Sequence, residues 1–185
     1  MTRIIHLYES PDRFIVGTVG EPGERTFFIQ AKENRRLISV VVEKSQVVAL
    51  VERVGFLLRE IKREHPNVLA KKALIDEGAL ENPIIEEFIV GIIGLIWLGD
   101  SEMISMEFQA LDDSITAQDS EEIDILSDSQ EGPDLLKVII SPAQAEAFCL
   151  RAMRLVNAGR QPCTFCGLPL DLRGHVCPRA NGYRR

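Results

Sequence analysis

The chain has 185 residues, 45% hydrophobic and 26% charged, which describes a soluble protein of one domain or of one domain with an appendage. Its most apolar run, Phe88–Leu98 (FIVGIIGLIWL), has eleven residues and two glycines, whereas spanning a bilayer takes about 20 apolar residues, so no membrane span is expected. The formal charge of −7 argues against broad nucleic-acid binding until it is located along the chain.

Four apolar segments rich in β-branched and aromatic residues come first and read as strands: Ile4–Leu7, Arg13–Val19, Thr26–Ala31 and Leu37–Val42. The N-terminus turns polar after its first eight residues and has no apolar stretch ending in a cleavage site, so a cytoplasmic location is expected. Between the second and third strands, GTVGEPGERT places Pro22 and Gly23 where a type II turn needs a fixed φ and then a positive one. Its glycines resemble a phosphate cradle only superficially. No Lys-Ser/Thr follows them, and the next element is a strand where a P-loop would have a helix.

The period then changes. Val47, Val51, Val54, Leu58 and Ile61 recur at helical spacing, with Ser45 as the expected cap and Pro66 barring continuation. Residues 66–86 follow as a partly helical connector. A second strand group is expected at Phe88–Leu98, Met103–Leu111 and Leu135–Ile140, with Gly91 and Gly94 marking a bulge in the first of these. The last helix starts at Ser141, with Pro142 at N1, Gln144 completing a capping box and Gly159 in the C′ position. Ala145, Phe148, Cys149, Ala152 and Val156 form its buried stripe.

The segment from Asp112 to Asp134 carries nine acidic side chains and no Lys or Arg, so the rest of the chain is close to neutral. A polar acidic stretch without aromatics buries too little to offset its ordering entropy, and a mobile loop is expected.

The end of the chain, Cys163 to Arg185, reads CTFCGLPLDLRGHVCPRANGYRR. The spacing Cys163-x2-Cys166-x8-His175-x-Cys177 lets two sulfurs converge on one ion and brings back a second pair for tetrahedral closure. Gly167 can turn backbone N–H groups toward thiolate sulfur, and Gly174 permits a tight return. A tail this short cannot build a core, and a metal would supply the ordering energy. Structural zinc is therefore the expected cofactor, with Cys163, Cys166, His175 and Cys177 as ligands, because three thiolates and an imidazole close the shell and leave no position for a reacting water. A dithiol redox pair is the weaker reading of CTFC, which follows a helix end where a thioredoxin-like motif would open one. Cys149 reads as a buried small hydrophobe, and His6 and His65 have no motif partner nearby.

From Gly159 onward, Arg160, Arg173, Arg179, Arg184 and Arg185 face Asp171 alone, and Tyr183 is available for stacking. This suits an acidic protein partner, or RNA as the less favoured ligand because no broad basic patch supports the tail. No catalytic motif is legible, so an enzyme is the runner-up: one that holds a phosphorylated metabolite through the glycine turn and Arg13, Arg25 or Arg35.

The blocks GTVGEPGERTFFIQA and CTFCGLPLDLRGHVCPRANGY resemble the two signatures of an uncharacterised actinobacterial family, domain of unknown function 3090. The resemblance spans the chain, including the Ser-Pro-Ala-Gln-Ala helix start. It implies no assigned activity; the gene neighbourhoods usual for the family imply proximity to a phosphomutase-like and a lipid-kinase-like protein.

Two strands-then-helix halves, weakly alike as an internal repeat, predict an α+β core over residues 1–160 and a zinc-binding tail over 161–185. A non-enzymatic binding or adaptor protein is the expected function.

Overall fold

The computed structural model describes residues 3–21, 23–68, 72–112, 132–158, 163–166, 170, 177 and 179–180. Among these residues, seven strands and two helices follow in the order β1 (Ile5–Tyr8), β2 (Arg13–Val19), β3 (Thr26–Glu33), β4 (Arg36–Val42), α1 (Lys44–Glu64), β5 (Glu86–Leu98), β6 (Met103–Ala110), β7 (Leu135–Ile140) and α2 (Pro142–Asn157). No described helix is long and apolar enough to cross a membrane. The strands form one mixed sheet, β1-β7-β6-β5-β4-β3-β2. The class is α+β, and each half is an antiparallel three-strand meander closed by a helix: β2-β3-β4-α1 and β5-β6-β7-α2. The halves join where β4 runs parallel to β5.

β1 departs from the expected grouping. It leaves the first half and pairs in parallel with β7, Ile5 opposite Leu135, while Leu135 donates its N–H to the Ile4 carbonyl at 2.9 Å. β1 and β2 thus sit on opposite edges of the sheet, yet Tyr8 and Arg13 are joined by a link that reaches at most about 18 Å fully extended. A flat seven-strand sheet would hold its edges about 29 Å apart at the usual strand spacing. The sheet must therefore curl, and β5 near its middle carries a bulge, its pairing with β6 shifting between Val90 and Ile92. This is the expected bulge at Gly91. A Cβ there would come within 2.9 Å of the Leu111 Cα, so only glycine fits. Gln46 of α1 donates to the carbonyls of Val90 and Gly91 at 3.0 and 3.2 Å, which gives both acceptors at the bulge a side-chain partner.

Curling encloses one face of the sheet. Ile29, Val40, Met106 and Val138 are fully buried there and share one core with Val54 of α1 and Phe148 of α2. The Phe14 ring stacks on Phe148 at 4.7 Å and meets Phe108 at 6.2 Å, which ties β2 across the core to β6.

The helix starts differ in one respect from expectation. α2 is capped as read, with Ser141 Oγ accepting from Gln144 N and Ser141 N donating to Gln144 Oε1. In α1 the cap is Glu43, whose N–H donates to Gln46 Oε1 at 2.8 Å, and Ser45 lies inside the first turn, its hydroxyl bonded to Glu43. Glu43 wins because Gln46 stands three residues on from it and closes the box that Ser45 has no partner to close. Gly159 lies outside the described residues.

Two marks of the expected β2–β3 turn lie among the described residues: Glu24 N–H donates to Glu21 O at 2.9 Å, and Gly23 has φ +106°. Pro22 is outside the described residues, as are 113–131 of the acidic segment. The connector was expected to be partly helical; residues 72–85 contain no helix or strand. Side-chain bonds hold it in place of a backbone ladder: Gln30 bonds the carbonyl and N–H of Glu81 at 3.0 and 2.8 Å, Lys32 reaches the Glu81 carboxylate at 2.7 Å, and Leu80 fills the space above Gly17.

Candidate metal centre

Beyond α2, the turn Cys163–Cys166 and the return at Cys177 bring three thiols together. Their sulfur atoms all lie within 4.8 Å of one another. Cys163 Sγ and Cys177 Sγ are 3.8 Å apart, far beyond a disulfide bond and matched to two sulfurs sharing a tetrahedral ion, which sit about 3.8 Å apart when each metal–sulfur bond is about 2.3 Å. Cys163 and Cys177 are each 7% exposed, and Cys166 is half-buried.

The two-residue spacing produces this geometry through the backbone. The N–H groups of Cys166 and Phe165 point at Cys163 sulfur and, against the opposing effect of burial, pull its thiol down to about 6, so the anion is the favoured form at neutral pH. Ala180 N–H makes a matching contact to Cys177 sulfur at 3.4 Å while also bonding the Cys177 carbonyl at 3.1 Å. Arg179 donates to the Phe165 carbonyl at 3.1 Å and so latches the second turn onto the first. Three convergent sulfurs, two of them receiving backbone N–H groups, could hold a metal ion.

Of the expected ligands, Cys163, Cys166 and Cys177 are thus brought together, while His175 lies outside the described residues. Cys149 sits on α2, where burial pushes its thiol up to about 12, as suits a packing residue. His6 lies in β1 with Nε2 3.8 Å from a Glu87 carboxylate oxygen and its ring 6.5 Å from Phe88. His65 caps the end of α1 with its ring 5.9 Å from Trp97.

The three arginines considered for a phosphorylated ligand are not assembled. Arg25 donates to the Ala158 carbonyl at 2.9 Å, closing the C-terminal end of α2. Arg13, at the opposite end of the β2–β3 hairpin, grips Asp76 with Nε and Nη2 at 2.5 and 2.8 Å and bonds the Ala79 carbonyl at 2.8 Å. Arg35 is exposed at the β3–β4 turn.

Two features escaped the sequence reading. Arg151 lies within the buried stripe of α2 and donates to the carbonyls of Val16 at 2.6 Å and Gly78 at 2.8 Å, with a third bond to the Asp76 carbonyl. Together with Arg13 it clamps the connector to β2. Glu107, 1% exposed on β6, pairs with Lys137 of β7 at 3.1 Å and accepts from Ser105 at 3.3 Å. The only available signal was weak, a charge at an alternating position of an apolar strand.

A family described as "Protein of unknown function (DUF3090)" matches residues 6–177. The chain belongs to the DUF3090 family. The match begins in β1 and ends on Cys177, so it takes in both meanders, both helices and all three clustered thiols as one unit. No curated protein and no solved structure matches the chain.

Proposed function

We propose that this DUF3090 chain is a zinc-stabilised, non-enzymatic binding or adaptor protein, with Cys163, Cys166, His175 and Cys177 holding a structural ion in a tail that follows the α+β core. The observation that carries the reading is the convergence of three thiols at the sulfur spacing of a tetrahedral site, with backbone N–H groups stabilising the anionic form. Soft thiolates favour zinc among the divalent ions of a reducing compartment, and His175 completes the set by its spacing from Cys177. A Cys3His shell is closed, so the ion's work is to order the tail.

The ordered tail then presents a basic surface to an acidic protein partner. RNA is the weaker ligand, because one of the five tail arginines, Arg179, donates inward to Phe165. The enzyme reading has less support, since Arg13 and Arg25 are taken up in the scaffold's own bonds.

Elemental analysis of protein purified without added metal should return about one zinc per chain, falling sharply in Cys163→Ser and Cys177→Ser. Protein that neither carries nor takes up zinc would remove the centre. Anisotropy titrations with single-stranded RNA at physiological salt should show no binding, and tight, steeply salt-dependent binding would move the assignment to RNA.

A further inference from the structure

Between α1 and α2, on the side turned away from the sheet, runs a groove of about 380 Å³. Val51, Gly55 and Leu58 line it from α1, and Cys149, Leu150 and Met153 from α2. Leu150 and Met153 remain 48% and 41% exposed, so an apolar strip lies open along the helix pair. Charge divides across it. Arg59 and Lys62 stand on the α1 side and Glu146 on the α2 side, and among the described residues none of the three forms an ion pair.

Gly55 adds an independent observation. Glycine is disfavoured inside a helix relative to alanine, yet a Cβ at this position would meet nothing nearer than Arg59 Nη1 at 3.6 Å, an ordinary contact. Gly17 and Gly91 are each required by a neighbouring group of the same chain, whereas Gly55 is not. Its bare backbone faces the groove, where it permits close approach by something from outside.

We infer that this groove is the interface of a homodimer, with a second copy of the chain as its occupant. The charge division argues for a copy. A two-fold axis lying in the interface and bisecting the line from Glu146 to the Arg59/Lys62 rim sets each Glu146 against the basic rim of its mate. The same operation forms the pairing twice and closes the assembly. An acidic helix from another protein would satisfy Arg59 and Lys62 but place its carboxylates against Glu146 as well. The copy also brings its own Leu150 and Met153 to cover the strip, and the two Gly55 positions allow the backbones to approach. The zinc assignment has no part in this inference, which stands or falls separately.

Sedimentation equilibrium of the full-length, metal-replete chain tests it. The wild type should sediment as a monomer–dimer equilibrium at micromolar concentrations, and Met153→Glu should be monomeric with an unchanged circular dichroism spectrum. Gly55→Gln, whose Cβ has room beside Arg59 within one chain, should weaken the dimer about tenfold or more by blocking close approach while leaving the circular dichroism spectrum unchanged. Glu146→Lys and Lys62→Glu should each weaken association, and the double swap, in which only Arg59 still opposes the new lysine, should associate more tightly than either single variant. A wild type that stays monomeric throughout, or a double swap no better than either single variant, overturns the assignment. So does a dimer indifferent to Met153→Glu.

Discussion

Asp76 shows how much of this protein is held by single side chains. The Arg13 guanidinium beside it, outweighing partial burial, holds its carboxyl down from 3.8 to about 2, with the Gly78 N–H and Arg151 contributing. A carboxyl whose pKa is lowered on folding contributes stability that is fully present above its unfolded pKa and disappears as pH falls through its folded value. The dependence therefore belongs to the window from about pH 4 to pH 2. The side chain is 35% exposed, so solvent screening limits the contribution to roughly 1 kcal/mol. Asp76→Asn should lower the thermal midpoint at pH 7 and flatten its decline between pH 4 and pH 2, as followed by calorimetry. A decline as steep as that of the wild type would mean that other carboxylates carry the acid response. Residues such as Arg13 and Asp76 look like ordinary charges in the sequence, since 63 positions separate them and only the fold makes them neighbours.

At the scale of elements, the strand and helix periods are local properties and were readable. Alternation depends on side chains that point to opposite faces two residues apart, and helical stripes on a repeat near four. β2 and β7 accordingly have their expected bounds, Arg13–Val19 and Leu135–Ile140. How the connector is held was not readable, because Leu80, Asp76 and Glu81 are fixed by long-range partners with no periodic signature. The Glu107–Lys137 pair was missed for a related reason. A charge on a strand normally signals a wet face, but here it lies in a buried one, with Glu107 Oε2 lacking a hydrogen-bond partner among the described residues. Lys137→Met would leave the Glu107 carboxylate unpaired in the interior and should destabilise the fold by about 3–5 kcal/mol. Replacing Glu107 by Leu in the same chain should recover most of the loss. Urea titrations of the single and double variants measure both effects, and a mild single variant would show that water reaches Glu107.

For the molecule as a whole, the core and the cysteine tail are expected to respond separately to metal removal. The hydrophobic core forms from the sheet, α1 and α2, and the three thiols follow the end of α2. Chelation should therefore leave the far-ultraviolet spectrum of the α+β core nearly unchanged while protease cleavage becomes fast between Ala158 and Cys163. Mass spectrometry of the fragments locates the cut. Cooperative loss of the whole spectrum on chelation would show instead that the tail is part of the core's folding unit.

By itself the sequence determined which segments become strands and helices, the α+β class, the capping box of α2 and the closeness of Cys163 and Cys166. Each depends on interactions over a few residues, whose signals survive in linear order. The convergence of Cys177 was legible as well, because metal-ligand spacing encodes a loop closure within the motif. Tertiary structure alone decided that β1 leaves its sequence neighbours for β7, that the sheet curls, that Arg13 and Arg151 clamp residues 76–79 of the connector, and that an apolar groove between the helices stays open. Those outcomes follow from which distant surfaces can be buried together once the elements exist, and that competition depends on the whole chain at once.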